Sequence, residues 1–320
     1  MEKILVTGAN GFVGRAVCAE LARRSISAVA AVRSLAATPA PFFDPGIAAV
    51  EVGQIDGATD WAGALEGCTA VIHLAARAHI LADSHADPLA AFRQTNVAGT
   101  LALARAAARA GVRRFVFVSS IGVNGSLNCV PFTGADVPAP AETYAASKLE
   151  AELALQGATA GGAMELVIVR PPLVYGPECP GNFRRLLQLL ATGAPLPFGA
   201  IAARRSFIGV WNLADVLLLC TSHPDAAGNV FLVSDMEDVA LPGLLRGLAD
   251  GMGRKARLFS VPPKLLAGVA GALGKSGIYD KLCGGMTVDA AEARRVLDWT
   301  APVSLAEGLR RTGRWYAGYA

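Results

Sequence analysis

The sequence has no concentration of charge of either sign. Lysine and arginine together number 29 and aspartate and glutamate 26 among 320 residues, so the formal net charge is +3. Nucleic-acid binding calls for a basic patch or stripe, and the sequence gives no support for one. A small anion is still a suitable ligand, because a local arginine cluster matters more for such binding than net charge does.

Cysteine pairs, metal-ligand clusters and long apolar runs are also lacking. The six cysteines are dispersed without a C-x-x-C pair, which argues against zinc or a disulfide framework and favours reduced, buried thiols in a cytoplasmic protein. The N-terminus runs straight into a strand-like segment with no signal-peptide pattern. The apolar stretch from Leu265 to Leu273 is too short to span a bilayer. We expect a packed helix there, and a weak contact with a membrane surface is the alternative.

Hydrophobic residues make up 53% of the chain and charged residues 17%, a composition typical of a globular protein with a large core. Residues 1–175 alternate short apolar runs with helical patterns, which predicts a doubly wound α/β fold around a parallel sheet. The predicted strands are Ile4–Val6, Ala28–Val32, Ala48–Val52, Ala70–Leu74, Phe115–Val118 and Leu166–Val169, and the helices are Gly14–Arg24, Thr95–Ala110 and Thr143–Leu155.

Proline and glycine become frequent after residue 176, and most later patterns are helical. We therefore predict a dinucleotide-binding domain over residues 1–175 and a smaller, mostly helical substrate lobe over residues 176–320. A strand-like segment at residues 229–233 is expected to return to the large sheet.

A glycine-rich loop follows the first strand and opens the first helix. Gly8 permits a tight turn, Gly11 lets the backbone approach a pyrophosphate, and Gly14 allows close helix–sheet packing. Backbone N–H groups at a helix N-terminus attract phosphates. The loop therefore predicts a bound dinucleotide.

The end of the second strand bears on the type of dinucleotide. An acidic residue there binds the ribose 2′-hydroxyl of NAD, but this chain has Arg33. A guanidinium suits a 2′-phosphate, and Arg15 is placed to assist it. We therefore expect NADP(H) to be favoured, with NAD(H) as the alternative.

Tyr144 and Lys148 are four residues apart, so they share one face of a helix. A nearby ammonium group favours the phenolate, which would make Tyr144 an acid or base near neutral pH. A motif this short also recurs by accident, and its interpretation depends on the rest of the chain.

Several motifs occur together in the order seen in extended short-chain dehydrogenases/reductases, and the chain resembles that family over essentially its whole length. That family includes the nucleotide-sugar epimerases, dehydratases and reductases. The motifs are Gly8-x-x-Gly11-x-x-Gly14, His73-Leu74-Ala75-Ala76, Asn96-Val97-x-Gly99-Thr100, Ser119-Ser120, Tyr144-x-x-x-Lys148 and Arg170-Pro171-x-x-Val174-Tyr175-Gly176-Pro177. The closing segment Leu297-Asp298-Trp299 resembles the family's L-G-W with aspartate in place of glycine.

The resemblance implies roles for single residues. Ser120 hydrogen-bonds the reacting sugar oxygen, Tyr144 exchanges its proton, and Lys148 holds the nicotinamide ribose and keeps Tyr144 acidic. Asn96 supports the lysine through backbone or water. Gln54 replaces the family's adenine-binding aspartate, and its carbonyl can accept the same bond. The expected cofactor contacts are Gly8, Asn10, Gly11, Phe12, Val13, Gly14, Arg33, Gln54, Ile55, Leu74, Ala75, Ala76, Asn96, Ser119, Tyr144, Lys148, Pro171 and Val174.

Other stretches resemble bacterial UDP-sugar enzymes of polysaccharide assembly, namely those at residues 120–125, 181–183, 195–201 and 204–207. By this resemblance Asn182 and Arg205 bind the diphosphate of a UDP-sugar. Arg77 follows the fourth strand on a loop that faces the site, and with Ser120 it completes the expected substrate contacts. Family members often dimerise through two helices, here Thr95–Ala110 and Thr143–Leu155, so we expect a homodimer.

These features lead to a preferred function and two alternatives. We expect a 4-ketoreductase that reduces a UDP-4-keto-6-deoxy-N-acetylhexosamine to UDP-N-acetylquinovosamine or UDP-N-acetylfucosamine for surface polysaccharide synthesis. The first alternative is a UDP-hexose or UDP-N-acetylhexosamine 4-epimerase with tightly bound NAD. The second is a non-catalytic nucleotide-binding scaffold, which the presence of Tyr144 and Lys148 disfavours. Dehydration is disfavoured because Ile121-Gly122 follows Ser120, where dehydratases typically carry Asp-Glu. The chemistry needs no metal, and we expect none.

Overall fold

The computed structural model describes residues 2–38, 44, 46–78 and 87–318. In this part of the chain the strands are β1 (Lys3–Thr7), β2 (Ser27–Val32), β3 (Ile47–Glu51), β4 (Ala70–His73), β5 (Arg114–Val118), β6 (Glu165–Arg170), β7 (Leu173–Tyr175), β8 (Arg204–Gly209), β9 (Val230–Leu232) and β10 (Asp238–Ala240). The helices are α1 (Phe12–Arg23), α2 (Ala62–Leu65), α3 (Pro88–Arg93), α4 (Thr100–Arg109), α5 (Thr143–Thr159), α6 (Gly181–Ala191), α7 (Val210–Ser222), α8 (Leu241–Gly251), α9 (Pro263–Ala272), α10 (Ser276–Cys283), α11 (Ala291–Leu297) and α12 (Leu305–Tyr316).

A seven-stranded parallel sheet has the order β3-β2-β1-β4-β5-β6-β9. This order confirms the predicted doubly wound α/β fold. It places the switch point between β1 and β4, where such sheets bind ligands beyond the carboxyl ends of their strands. The segment at residues 229–233 does return to the sheet, since β9 pairs in parallel with β6.

Helices cover both faces of this sheet, because successive strand side chains point to opposite sides. Ile4 and Val6 belong to a buried cluster with α1, α7 and α11, whereas Leu5 belongs to a second cluster with α2, α4 and α5. Near-continuous apolar strands are what such a doubly covered sheet requires. The near-continuous apolar runs that predicted the strands of the first domain therefore reflect burial of both faces of the sheet.

A second, three-stranded sheet of order β10-β8-β7 lies in the later part of the chain. It packs with α6, α8, α10 and α12 around a third buried cluster. The sequence predicted a mostly helical lobe and missed this sheet, because its strands are short and β8 begins with Arg204 and Arg205. The helix α7 lies against α1 on the large sheet instead.

Two further expectations need correction. The predicted helix Thr95–Ala110 is a π-helical turn over Gln94–Gly99 followed by α4. The thiols are buried except that of Cys129, which is exposed. Within the described residues, no helix has both the length and the apolar character needed to cross a membrane.

Candidate active site

The glycine loop between β1 and α1 is shaped by close backbone contacts. Gly8 has φ +64°, and a Cβ there would lie 2.9 Å from the backbone nitrogen of Ala75. A Cβ at Gly14 would lie 2.7 Å from the Cα of Ala9, so both positions exclude larger residues. Gly11 is exposed and precedes the first residue of α1. The N–H groups of this helix end therefore stay accessible to a phosphate.

A buried threonine–histidine–threonine chain fixes the loop after β4. The Thr7 hydroxyl accepts bonds from the N–H groups of Leu74 and Ala75, both at 3.2 Å. Its proton then points to Nδ1 of His73, 2.6 Å away, so Nε2 carries the other proton and donates to Thr100 at 2.8 Å. Burial, helped by the charge of Lys148, lowers the pKa of His73 to about 3. His73 is thus a neutral positioning residue inside the protein.

The π-helical turn places Asn96 at the centre of a second network. Its Oδ1 accepts from the Arg77 N–H at 2.8 Å, and its Nδ2 donates to the Arg77 carbonyl at 3.1 Å and to Ser147 Oγ at 2.9 Å. Ser147 in turn donates to the Tyr144 carbonyl at 2.7 Å. Asn96 therefore ties the loop after β4 to the first turn of α5, and the link to the tyrosine–lysine segment runs through Ser147.

Two serines follow β5 at the carboxyl edge of the sheet. Ser120 is half-buried, and its Oγ accepts from the Gly122 N–H at 3.1 Å. A Cβ at Gly122 would lie 3.2 Å from that of Ala145, so this turn packs directly on α5 beside Tyr144. The bonds from Ser119 N–H to Val169 and from Ile121 N–H to Pro171 fix the turn against β6.

Ser119 carries a buried hydroxyl that has no hydrogen-bond partner among the described residues. A buried polar group without a partner is costly, so such an atom points to a ligand that supplies the bond. The open N-terminus of α1 and this hydroxyl lie beyond the carboxyl ends of neighbouring strands, β1, β4 and β5. The residues present therefore fit a dinucleotide laid across the switch point.

Tyr144 and Lys148 lie in the first two turns of α5, as their spacing predicted. Lys148 is buried, and its Nζ lies 4.0 Å from the centre of the Phe117 ring. Burial lowers the pKa of Lys148 to about 7, although Glu152 acts in the opposite direction. Burial also raises the pKa of Tyr144 to about 12. The expected lowering of the tyrosine pKa is therefore not found, because desolvation of the phenol disfavours its charged form.

Behind Lys148 lies a buried ion pair that sequence reasoning missed. Glu152, one turn further along α5, accepts from Nε of Arg170 at 3.0 Å and from Nη2 at 2.5 Å. Arg170 Nη1 also donates to Asn124 Oδ1 at 3.0 Å. The sequence signal was present as a four-residue spacing from Tyr144 through Lys148 to Glu152, all on one helix face.

The two arginines expected to bind a 2′-phosphate, Arg15 and Arg33, differ in their surroundings. Arg15 is ion-paired with Glu178, so it is not an uncommitted second cation for a 2′-phosphate. Arg33 is exposed at the end of β2 and forms no ion pair within the described part of the chain. A carboxylate also lies against the loop after β2, because Glu51, the last residue of β3, accepts from the N–H of Leu35 in that loop at 2.8 Å. Of the remaining predicted contacts, Asn10, Phe12 and Val13 belong to the glycine loop and α1, Gln54 and Ile55 follow β3, Ala76 follows β4, and Val174 lies in β7 of the second sheet.

The predicted diphosphate residues lie in the second lobe. Arg205, in β8, donates to the Lys281 carbonyl, and Arg204 donates to the Asp238 carbonyl. Neither guanidinium is neutralised by a carboxylate of the described residues, and burial lowers the pKa of Arg205. Asn182 lies in the first turn of α6, but its side chain is outside the described structure. Arg77 lies with its guanidinium 5.7 Å from the centre of the Phe92 ring.

A buried acid, also missed from sequence, joins the two sheets. Asp235 accepts from the Tyr175 hydroxyl at 2.7 Å, the Gly209 N–H at 2.9 Å and the Asn212 amide at 2.6 Å. Burial raises the pKa of Asp235 despite these bonds. The acid therefore fixes the start of α7 and the ends of β7 and β8, and its partners lie too far apart in sequence to be recognised as a motif.

The parallel doubly wound sheet has a glycine turn at its switch point and a tyrosine–lysine pair beside a serine. These are the features of the extended short-chain dehydrogenases/reductases. The chain belongs to the NAD dependent epimerase/dehydratase family, whose pattern it matches over residues 4–234. It is 40% identical over 317 residues to a UDP-glucose 4-epimerase of Vibrio cholerae, covering 98% of this chain and 95% of that protein.

Solved structures show the same architecture. MoeE5 in complex with UDP-glucuronic acid and NAD superposes with a TM-score of 0.77 at 25% identity, covering 98% of both chains. The UDP-glucose 4-epimerase of Thermotoga maritima has a TM-score of 0.77 at 21% identity, covering 99% of both chains. The second likeness concerns the fold alone. The family is NAD-dependent, and the neighbours lend no support to the predicted preference for NADP.

Proposed function

We propose that this protein is a UDP-sugar 4-epimerase that keeps NAD bound through the catalytic cycle. The observation that carries the proposal is the 40% identity over nearly the whole chain to a protein named UDP-glucose 4-epimerase. The packing of the Ser120 turn against the α5 turn that carries Tyr144 supports it, because a C4 hydroxyl needs a proton acceptor and an oxygen ligand side by side.

The cofactor site rests on the glycine loop, the end of β4 and the serines after β5. The backbone at Gly11 and the N-terminus of α1 hold the pyrophosphate, and Ser119 supplies a hydroxyl that lacks a partner among the described residues. We favour NAD over NADP because Arg15 is paired with Glu178 and the carboxylate of Glu51, at the end of β3, lies against the loop after β2. The chemistry that NAD would supply at this site is the reversible transfer of a hydride from C4 of the sugar.

The protein's own groups manage the proton and the oxygen. Tyr144 takes the proton of the C4 hydroxyl and later returns it, while Ser120 donates a hydrogen bond to the same oxygen. Lys148 must be protonated to stabilise the tyrosine phenolate, because the pKa of Tyr144 is raised to about 12 by burial. Glu152 favours that protonated lysine. A protonated Lys148 would thus increase the population of the Tyr144 phenolate, which is otherwise small near neutral pH.

Dehydration chemistry is a poor fit to the turn after Ser120. Ile121 is 5% exposed and packs in a small apolar cluster, so its position cannot present an acid to the substrate. At Gly122 a Cβ would meet both Ser120 Oγ, at 3.3 Å, and Ala145. An acidic pair at these two positions would have to displace the turn.

The second lobe supplies the anionic end of the substrate site. Arg205 is the main candidate for the diphosphate, since its guanidinium is held by a backbone carbonyl rather than a carboxylate. Asn182 and Arg77 are proposed to complete the contacts from α6 and from the loop after β4. The division at residue 176 into a cofactor domain and a mainly substrate-binding lobe, and a homodimer formed through α4 and α5, belong to the same proposal.

A second candidate is the 4-ketoreductase that the sequence favoured. The specific observation in its support is Arg33, an exposed cation at the end of β2 where a 2′-phosphate of NADPH would lie. A reductase must release its cofactor after each turnover and consumes one hydride donor per product. An epimerase keeps its cofactor and consumes none.

The test is turnover by the purified protein with UDP-glucose or UDP-N-acetylglucosamine and no added cofactor, followed by proton NMR of the anomeric signals. We expect the C4 epimer to accumulate over many turnovers, and Tyr144→Phe to lower the rate at least a thousandfold. Tyr279→Phe is the matched control, because the Tyr279 hydroxyl donates to the Pro263 carbonyl in the α9–α10 region. A requirement for stoichiometric NADPH with a 4-keto sugar would support the reductase. Full activity of Tyr144→Phe would contradict the role of Tyr144 in either enzyme. No turnover of any of these substrates, together with intact cofactor binding, would favour the scaffold.

A further inference from the structure

The helix α9 exposes a continuous row of aliphatic side chains. Leu265, Val269 and Leu273 are 59%, 51% and 64% exposed, and their spacing of four residues aligns them on one side of the helix. No residue of α9 is fully buried. Ile278, on the adjoining α10, is 63% exposed and extends the apolar surface. We call this set of four side chains the α9–α10 surface.

The helix is nevertheless attached to the protein along its other side. Leu266 packs against the third buried cluster, together with Tyr279 and Leu282 of α10. The Tyr279 hydroxyl donates to the Pro263 carbonyl at 3.1 Å, which joins the two helices. The outward row is therefore held in place by an anchored hairpin. Burying an aliphatic side chain is favourable, so exposing several on one face is unfavourable unless another surface covers them.

The chain segment that forms α9 and its flanking loops carries charge of one sign. Between Asp250 and Asp280 the chain contains no acidic residue, but it contains the basic residues Arg254, Lys255, Arg257, Lys264 and Lys275. Lys264 and Lys275 flank the aliphatic row at either end of α9 and are exposed. Within the described residues neither forms an ion pair, so both charges are available to an external anion.

We propose that the α9–α10 surface docks the protein on an anionic lipid bilayer. The aliphatic side chains would insert among the acyl chains, and the lysines would lie at the level of the anionic headgroups. The surface therefore matches the bilayer in both apolar character and charge. At 1.5 Å per residue, the ten residues of α9 span about 15 Å, which is half the hydrocarbon thickness, so the helix lies along the interface.

A second copy of the chain is a poorer occupant. A two-fold interface sets the same patch against itself, which would bring Lys264 and Lys275 close to their counterparts. Like charges facing each other across an interface oppose association. The phosphate layer of an anionic bilayer carries the opposite charge and neutralises the two lysines instead.

The α9–α10 surface is connected to the proposed substrate site through α10. The far end of α10 carries Lys281, whose carbonyl accepts from Arg205 and whose Nζ lies 2.7 Å from Glu142 Oε1. The helix that presents Ile278 to the bilayer is thus the one that contacts the proposed diphosphate residue. Membrane attachment through this hairpin does not require any change in the cofactor domain.

The test is co-sedimentation of the full chain with vesicles of phosphatidylethanolamine and phosphatidylglycerol, compared with vesicles of phosphatidylcholine alone. We expect at least tenfold stronger partitioning to the anionic vesicles at low salt and a marked loss at 0.5 M salt, where charges are screened over a few ångströms. The triple variant Leu265→Ser, Val269→Ser, Leu273→Ser and the double variant Lys264→Glu, Lys275→Glu should each lower partitioning at least tenfold. Val130→Ser with Val137→Ser is the control, because these two side chains are 75% and 87% exposed elsewhere.

A spectroscopic variant gives an independent measurement. Val269→Trp should show a blue shift of fluorescence on addition of anionic vesicles, and Val137→Trp should not. The proposal is overturned if the wild-type protein does not sediment with anionic vesicles, or if the triple variant binds them as well as the wild type. It is also overturned if light scattering shows that the triple variant converts a dimer to a monomer, which would assign the surface to a second copy. An unchanged turnover rate in solution verifies that each variant is folded.

Discussion

The guanidinium of Arg170 and the carboxylate of Glu152 form a two-point ion pair inside the protein, with side chains only 5% and 3% exposed. The pair lies one helical turn beyond Lys148, whose charged form Glu152 favours. A buried carboxylate that is itself neutralised by arginine can hold a lysine's pKa up without leaving an uncompensated charge. The proton chemistry at Tyr144 therefore depends on residues that never touch the substrate.

Replacement of Glu152 by Gln should lower the pKa of Lys148 below about 7, because burial then acts on the lysine without a nearby anion. Lys148 would lose its charge at lower pH, so the alkaline limb of the kcat/KM profile should move to lower pH. Stability should fall by about 3–5 kcal/mol, since Arg170 is left buried without its partner.

Glu150→Gln is the matched control on the same helix. Glu150 pairs with Arg93 at 2.7 Å, but these side chains are 34% and 53% exposed, and such surface pairs contribute about 0–1 kcal/mol. We expect no shift of the pH profile for this variant. An unchanged profile in a folded Glu152→Gln protein would show that Lys148 is not tuned by Glu152.

His73 should make stability depend on pH. Its pKa is about 3 in the folded protein because of burial, against about 6.5 when unfolded, so the unfolded chain binds a proton that the folded chain refuses. The stability is therefore present above pH 6.5 and is lost as the pH falls toward 3. Between pH 7 and pH 5 this one group should lower the unfolding free energy by about 2 kcal/mol.

Urea unfolding of the wild type and of His73→Gln at both pH values measures this term. The variant should lose about 2 kcal/mol of the pH dependence whatever its absolute stability, and His223→Gln, in the turn after α7, should keep it. Equal pH dependence in the wild type and His73→Gln would contradict the account of His73 as a buried neutral link.

Arg205 and Arg204 should differ in their effect on nucleotide binding. Arg205→Ala should weaken the binding of UDP at least tenfold, corresponding to the loss of about 1.5–3 kcal/mol for a hydrogen bond to a charged group. Arg204→Ala should change it less than threefold, because Arg204 is exposed and donates to the Asp238 carbonyl. Titration calorimetry with UDP measures both, and equal losses for the two variants would remove Arg205 from the substrate site.

Asp298 holds a backbone conformation that favours glycine. It ends α11 with φ +47° and ψ +33°, in the left-handed region, where the related motif has glycine. Asp298→Gly should therefore stabilise the protein by about 0.5–1 kcal/mol, whereas Asp298→Ala should destabilise it. Thermal and urea unfolding give the comparison, and a less stable glycine variant would mean that the Asp298 side chain outweighs its backbone strain.

The sequence predicted those parts of the fold whose signal is local. Ile4, Leu5 and Val6 form an apolar run because both faces of β1 are covered, and Gly8 and Gly14 are glycines because neighbouring backbone fills the space of a side chain. The spacing of Tyr144 and Lys148 fixed their common helix face. Each of these patterns spans only a few residues, so it can be recognised in the sequence alone.

The remainder depended on contacts between distant segments. The Asp235 contacts to Tyr175 and Asn212 and the second sheet join residues far apart in sequence. The pKa of Tyr144 was predicted in the wrong direction, because burial depends on the whole packed structure. The outward row on α9 was expected to pack, since an apolar helix gives no sign of which face finds a partner.

Retention of the C4 hydrogen tests the central claim most directly. UDP-glucose or UDP-N-acetylglucosamine labelled with deuterium at C4 is incubated with the purified protein and unlabelled NADH in solution, and the product is analysed by NMR and mass spectrometry. The account predicts that the C4 epimer keeps its deuterium at C4, because the hydride is removed and returned within one bound complex. Loss of deuterium to the cofactor pool, or product formed only from a 4-keto sugar with added reduced cofactor, would contradict it.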